Sequence, residues 1–207
     1  MARRGTQAEP TAERIWGGST LTERREQRRV ALMDAALDLI GEGGGAAVTV
    51  RSVCRRACLT DRYFYENYPG RDELLTALLA EVSGQTYAAL AAAFNQAGDD
   101  PRVRAEAVVN TAATIVLDDP RKGRLLLVEP LSDRALISAS MASMPTFTRM
   151  VQTHFAPAGT RSERALAAVG LAGALGALFS SWLAGTLKVT RKELLAHCVE
   201  LLVTAHG

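Results

Sequence analysis

The chain has 207 residues, 48% of them hydrophobic and 22% charged, the balance of a soluble globular protein of one or two domains that can bury a substantial core. A formal net charge of +2 excludes a strongly cationic protein, so any nucleic-acid footprint has to come from local clustering. Ala, Leu, Arg and Glu dominate while aromatics are only 5%, which favours helix almost throughout and predicts an all-α fold.

Residues 1–19 contain Gly5, Pro10, Gly17 and Gly18 without an apolar period and read as a flexible arm; Arg3 and Arg4 near its start are either solvated or minor-groove contacts. A helix is predicted from Thr20, three residues before Glu23 in a capping-box arrangement, with Val30, Met33, Leu37 and Ile40 at helical spacing. Its first turns gather Arg24, Arg25, Arg28 and Arg29 against only Glu23 and Glu26, and Gly41 with the triplet at 43–45 ends it.

Thr49 is placed to cap a short helix through Ala57 whose inner face is Val50, Val53, Cys54 and Ala57. Thr60 is placed to cap a second through Glu66, joined to the first by a turn at Cys58 and Leu59, which is the helix-turn-helix layout. Pro69 suits the first turn of the next helix, 71–94, with Leu74, Leu75, Leu78, Leu79, Val82 and Leu90 on its apolar stripe. Further helices are predicted at 102–117, 121–129, 131–155, 162–185 and 190–205, with Pro145 interrupting or kinking the one that contains it.

Residues 165–187 run without a charge for 23 residues, long enough to span a bilayer. Their Ala, Gly and Ser content drives insertion weakly, so a helix covered by other helices or by a second subunit is expected, with no membrane. The three cysteines, Cys54, Cys58 and Cys198, are an odd set with no secretory signal ahead of them, which points to a reducing cytoplasm. Cys54 and Cys58 lack the further ligands of a zinc site, so no metal is expected. Phosphate-binding glycine loops, HExxH and CxxC patterns are absent, and His154, His197 and His206 stand apart from any nucleophile, so neither an enzyme nor a cofactor is expected.

Three of the four tyrosines, Tyr63, Tyr65 and Tyr68, fall within the stretch YFYENY, among basic side chains. A helix beginning at Thr60 exposes Thr60, Asp61, Arg62 and Tyr63 in its first turn, where recognition helices meet bases. Arg62 is suited to a guanine edge, and the hydroxyls of Tyr63 and Tyr65 to phosphate oxygens. Asp61 either accepts from a cytosine amino group or pairs with Arg62, while Phe64 points into the core.

The stretch TVRSVCRRACLTDRYFYENYPGRDELL resembles the DNA-binding signature of the TetR family of transcriptional repressors, and the likeness covers roughly residues 22–80. By that resemblance Thr49 and Thr60 cap the two helices, Tyr65 and Tyr68 are the signature aromatics, and Arg71 takes the place of the usual lysine. Tyr65 and Arg71 would then touch phosphate, with Arg51 joining the DNA-facing set. Cys58 stands where the family has a turn glycine, and Arg62 with Tyr63 replace smaller residues, which implies an operator of its own. The resemblance also implies three domains' worth of organisation: the arm 1–19, a helix-turn-helix domain at 20–70, and a helical ligand-binding and dimerisation domain at 71–207.

Residues 165–187 and the helix after them look like the family's two dimer-forming helices, which nominates Leu171, Leu175, Leu178, Phe179, Trp182, Leu194 and Leu201 for the interface. The implied protein is a homodimer on a near-palindromic double-stranded operator, released by a small hydrophobic or aromatic effector. Thr114, Met141, Met144, Phe147, Met150, His154, Phe155 and Trp182 are the candidates for its pocket, as adaptable or aromatic surface between helices. The other reading is a helical module that binds a small molecule or a protein without binding DNA, which the small net charge favours.

Overall fold

The computed structural model describes residues 21–155 and 159–206; the arm at 1–19 and the cap at Thr20 lie outside the described residues. Nine α-helices, two 3-10 turns and no strand occur among them. The helices are α1 (Leu21–Gly43), α2 (Val50–Ala57), α3 (Asp61–Tyr65), α4 (Arg71–Gln96), α5 (Pro101–Leu117), α6 (Pro120–Leu127), α7 (Arg134–Phe155), α8 (Arg161–Leu183) and α9 (Arg191–His206). The 3-10 turns are Gly45–Ala47 and Glu129–Leu131.

Helix boundaries follow side-chain capping. Thr49 accepts from the Ser52 amide and Ser52 returns the bond to the Thr49 amide, a capping box closed by serine in place of a carboxylate or amide. Asp100 and Asp119 each cap a helix that opens on proline, and Thr160 with Glu163 closes a second box at α8. One expectation from proline fails: Gly70, not Pro69, precedes α4. At Pro145 α7 is not interrupted, because its packing against α4 and α8 outweighs one missing backbone bond.

The turn after α2 is made by Cys58 at φ 55° and ψ 38°, the left-handed conformation that costs a residue with a side chain roughly 1–2 kcal/mol. That backbone explains why glycine suits the position. Gly123 is required for another reason: a Cβ there would lie 2.1 Å from the Val116 carbonyl, so α6 can fold back on the end of α5 only without one.

Two cores share α4. The first packs α1, α2 and α3 around Phe64 and the first half of α4, closed by Leu125 of α6 and Leu136 of α7. The second gathers Leu90, Val109, Phe155, Ala168, Phe179, Cys198 and Leu202 from the remaining helices. Each fully buried leucine contributes roughly 1.5–3 kcal/mol, so α4 is held at both ends.

Candidate functional site

α3 is five residues long and is positioned by Phe64, which has 0% exposure and stacks edge-on with Tyr65 and obliquely with Tyr68. With Phe64 fixed inward, helical geometry turns Asp61, Arg62 and Tyr65 outward, and all three are exposed. The Arg62 side chain is 83% exposed, held only by Glu66 at 3.1 Å, so it is free to reach a base edge. Thr60 occupies the cap position, but its side chain makes no capping bond; with the Tyr65 hydroxyl it offers exposed oxygen beside α3.

The arginine cluster of α1 lies against this helix. Arg28 covers the Tyr63 ring at 4.5 Å, and Arg25 donates to the Glu66 carbonyl at 2.9 Å. α2 adds exposed Arg51 and, one turn on, exposed Arg55, which sequence reasoning missed although the spacing of four puts both on one face. The result is a basic, hydroxyl-bearing surface on an otherwise nearly neutral protein.

Three assigned contacts are placed otherwise. Arg62 pairs with Glu66 and not with Asp61, whose carboxylate lies by the Cys54 thiol; burial first, then Asp61, pushes that thiol up to about 11. Tyr68 is 6% exposed, so it fills the core and presents no surface to DNA. Its hydroxyl lacks a partner at hydrogen-bond geometry, and burial raises its pKa against the pull of the Arg29 guanidinium. Arg71 is turned inward instead of toward phosphate: it donates to the carbonyls of Val48 and Gly45 at 2.7 Å and to Asp72 and Asp133. The Gly45 carbonyl takes this arginine in addition to the Val48 amide, at 3.0 Å, so the loop before α2 is held from within and from α4.

Arg71 thereby ties the helix-turn-helix to the rest of the chain. Asp133 receives Arg71 with one oxygen and caps α7 with the other, at 3.0 Å from the Ala135 amide. Burial alone would raise the Asp133 pKa, but Arg71 and the Leu136 and Ala135 amides outweigh it and hold the carboxyl below its usual range. Beside it, Glu129 is 6% exposed and accepts from the Gly45 amide and from Arg124, both at 2.7 Å. Gly44, at φ 73°, and Gly45 admit these carboxylates: a Cβ on Gly44 would meet Glu129 at 2.7 Å, and one on Gly45 would meet Asp133 at 2.9 Å.

α7 leads from this joint to a cavity of about 190 Å³ in the second core, between α4, α5, α7 and α8. Of the eight nominated pocket residues, Met144, Phe147, Met150 and Phe155 line it. Thr114 and Met141 are exposed elsewhere. His154 packs on Phe94 with ring centroids 4.1 Å apart, its pKa lowered by burial and by Arg104, and Trp182 donates to the Val189 carbonyl at 3.0 Å. Sequence reasoning missed Ser83, Thr86 and Tyr87 of α4. The signal was present, since Ser83 and Thr86 are polar residues on the stripe that buries Leu79, Val82 and Leu90.

The nominated dimer residues divide as well. Leu171, Phe179 and Leu194 are buried inside the protomer, Leu175 lines the cavity, and Leu178, Trp182 and Leu201 are half-buried. Leu171 and Phe179 of α8 thus face the protomer's own core, because a helix buries its bulkiest stripe there first. The outward stripe is Leu166, Val169, Gly170, Gly173 and Ala177, with Leu166 74% and Val169 59% exposed. α8 is the one described helix long and apolar enough to cross a membrane, and it packs against α6, α7 and α9. No group of three or more metal-ligating side chains occurs among the described residues.

Comparison with known proteins bears on the first half most directly. The family described as "Bacterial regulatory proteins, tetR family" matches residues 32–78, which run from α1 into α4. The HTH-type transcriptional regulator BetI of Burkholderia thailandensis is 38% identical over 85 residues, 41% of this chain and 44% of that protein; BetI of Burkholderia mallei is 36% identical over the same length. The match thus spans less than half of these relatives. Whole-chain likeness is one of fold: FadR from Bacillus subtilis, solved with stearoyl-CoA, superimposes with a TM-score of 0.72 at 16% identity over 86% of this chain and 99% of that one. A TetR-like regulator from Rhodococcus superimposes at 0.65 with 20% identity over 86% and 93%. Residues 32–78 thus carry the DNA-binding domain of the tetR family, with its helix-turn-helix and outward arginines, and the all-helical bundle behind it shares the fold of TetR-like regulators.

Proposed function

We propose that the protein is a homodimeric repressor that binds a near-palindromic operator and is released by a small molecule. The observation that carries this reading is the joint between the two halves: the helix that walls the cavity starts at the carboxylate holding the loop in front of α2. A ligand that favours one position of α7 biases the position of α2 and α3, provided that it binds the two arrangements with different affinity.

Dimerisation is supported by the outward stripe of α8, where glycines and alanine let a second backbone approach while Leu166 and Val169 supply apolar area. Two recognition helices set about 34 Å apart then enter successive major grooves. Arg62 reads bases, Thr60, Tyr65, Arg51 and Arg55 hold phosphates, and a site overlapping a promoter gives repression. Ligand control is further supported by the FadR neighbour, which was solved with an acyl-CoA bound. Such a regulator works in the cytoplasm.

Selection of bound duplexes from a random pool by the purified chain tests this, followed by affinity for the best site at two salt concentrations and sedimentation of the free protein. A palindromic consensus, steep salt dependence and a dimer are expected. Recovery of no consensus would leave a helical ligand-binding module in place of a repressor.

A further inference from the structure

The cavity carries a chemical requirement of its own. Ser83 is 4% exposed and lines it, yet its hydroxyl makes no hydrogen bond to any described residue. A buried helical hydroxyl ordinarily donates back to the carbonyl four residues earlier, as Thr86 does to Val82 at 2.7 Å. The hydroxyls of Tyr87 and Ser140, also in the lining, have no described partner either. These three hydroxyls border the cavity without a partner among the described residues, so this oxygen-rich side offers hydrogen bonds to a molecule that enters.

The opposite side, with Val108, Ala112, Leu175 and Phe179, is hydrocarbon, and no Asp, Glu, Lys, Arg or His lines the cavity at any point. An ionised ligand would leave water without a counter-charge. Aromatic walls can hold a cation without a carboxylate, but Tyr87 and Phe147 stack on each other, with centroids 5.6 Å apart and planes at 16°, which leaves one free face on each and no pair of rings to close on a cation from two sides. Size narrows the choice further: a cavity of about 150 Å³ takes benzene, so about 190 Å³ takes one ring with a short substituent.

We infer that the effector is an uncharged, single-ring molecule bearing one hydroxyl or carbonyl oxygen. The oxygen pairs with Ser83 and Tyr87, which stand one turn apart on α4, and the ring lies between Phe147 and the aliphatic wall. This inference rests on the reading of the cavity as the effector site.

Calorimetric titration of the full chain with four matched probes tests it: para-ethylphenol, ethylbenzene, para-ethylbenzoate and phenyltrimethylammonium. Para-ethylphenol is expected to bind tightest and ethylbenzene about 10-fold more weakly, with no measurable binding of the two ions. In Ser83→Ala the phenol should fall to the level of ethylbenzene, whose own affinity stays the same, and the melting temperature should not drop. Binding of either ion as tightly as the phenol, equal effects of Ser83→Ala on phenol and hydrocarbon, or no binding of any probe would overturn the inference. Operator affinity measured with each probe separates this from the repressor reading. A phenol that binds without weakening the operator complex sinks ligand release and leaves the ligand class standing; an ion that binds and releases DNA does the reverse.

Discussion

Around Phe64 the first core is closed to solvent: Val48, Val53, Phe64, Leu74 and Leu75 each have 0% exposure, and the polar groups of the loop before α2 are bound by Arg71 and Glu129. Around Phe155 the second core encloses a cavity of about 190 Å³ and leaves the Ser83 hydroxyl without a partner. Both are built of leucine-rich helices and both use α4, so composition does not separate them. What differs is whether the packing must fix one geometry or accept a second molecule. Under the proposed function, a reading head placed by a five-residue helix needs rigid support from below, whereas a chamber for a ligand has to remain incompletely filled.

The largest expected effect tests that contrast directly. Phe64→Ala should destabilise the protein by about 3–5 kcal/mol, because the ring is fully enclosed and its neighbours cannot collapse into the void. Leu175→Ala, in the half-buried wall of the cavity, should cost about half as much, since the side chain is already bounded by empty space. Urea denaturation of both variants measures the difference, and equal losses would mean that the two cores are packed alike.

The joint between the cores comes next. Asp133→Ala leaves Arg71 half-buried without its carboxylate and removes the cap of α7, at an expected cost of about 2–4 kcal/mol. Arg71→Ala should cost a similar amount and leave the salt dependence of operator binding unchanged; a slope flatter by about one unit would return Arg71 to the phosphate contacts. Because the folded Asp133 pKa lies below that of the unfolded chain, its contribution is present above the ordinary carboxylate value. It is lost as pH falls through the lowered value, so Asp133→Asn should flatten stability below about pH 4 and alter its pH dependence little at neutrality.

Arg62→Ala should leave stability unchanged, as the side chain is 83% exposed, and weaken the preferred operator by about 1–3 kcal/mol relative to other duplexes. Loss of affinity for all duplexes alike would make Arg62 a backbone contact.

The two halves were also unequally legible. Capping residues, the tight turn at Cys58 and the spacing of Val53, Cys54 and Phe64 are local signals, and local geometry decides them, so α2 and α3 could be placed from the sequence. Tyr68 and Arg71 defeated the same reasoning because their partners are distant in sequence: Arg29 lies 39 residues before Tyr68, and Asp133 lies 62 residues after Arg71. In α8 nearly every residue is small or apolar, so no polar stripe marks which side faces the core, and Leu171 and Phe179 were assigned outward. The cavity was half legible, since bulky residues of α7 are conspicuous, whereas Ser83 matters only through the hydrogen bond it lacks.

Tyr65→Phe is the smallest change and the finest test of the reading head. Tyr65 is 59% exposed and its ring rests edge-on against Phe64, so phenylalanine keeps the packing and removes only the hydroxyl. A hydrogen bond from a neutral hydroxyl to an anionic phosphate contributes about 1.5 kcal/mol or more, so affinity should fall at least roughly tenfold for every duplex, with specificity and salt slope unchanged. Since a hydroxyl carries no charge, the salt slope separates this contact from that of Arg55, whose replacement by alanine should flatten the slope by about one unit. If Tyr65→Phe instead altered sequence preference, the hydroxyl would be meeting a base edge, and the division between Arg62 as reader and Tyr65 as grip would have to be redrawn.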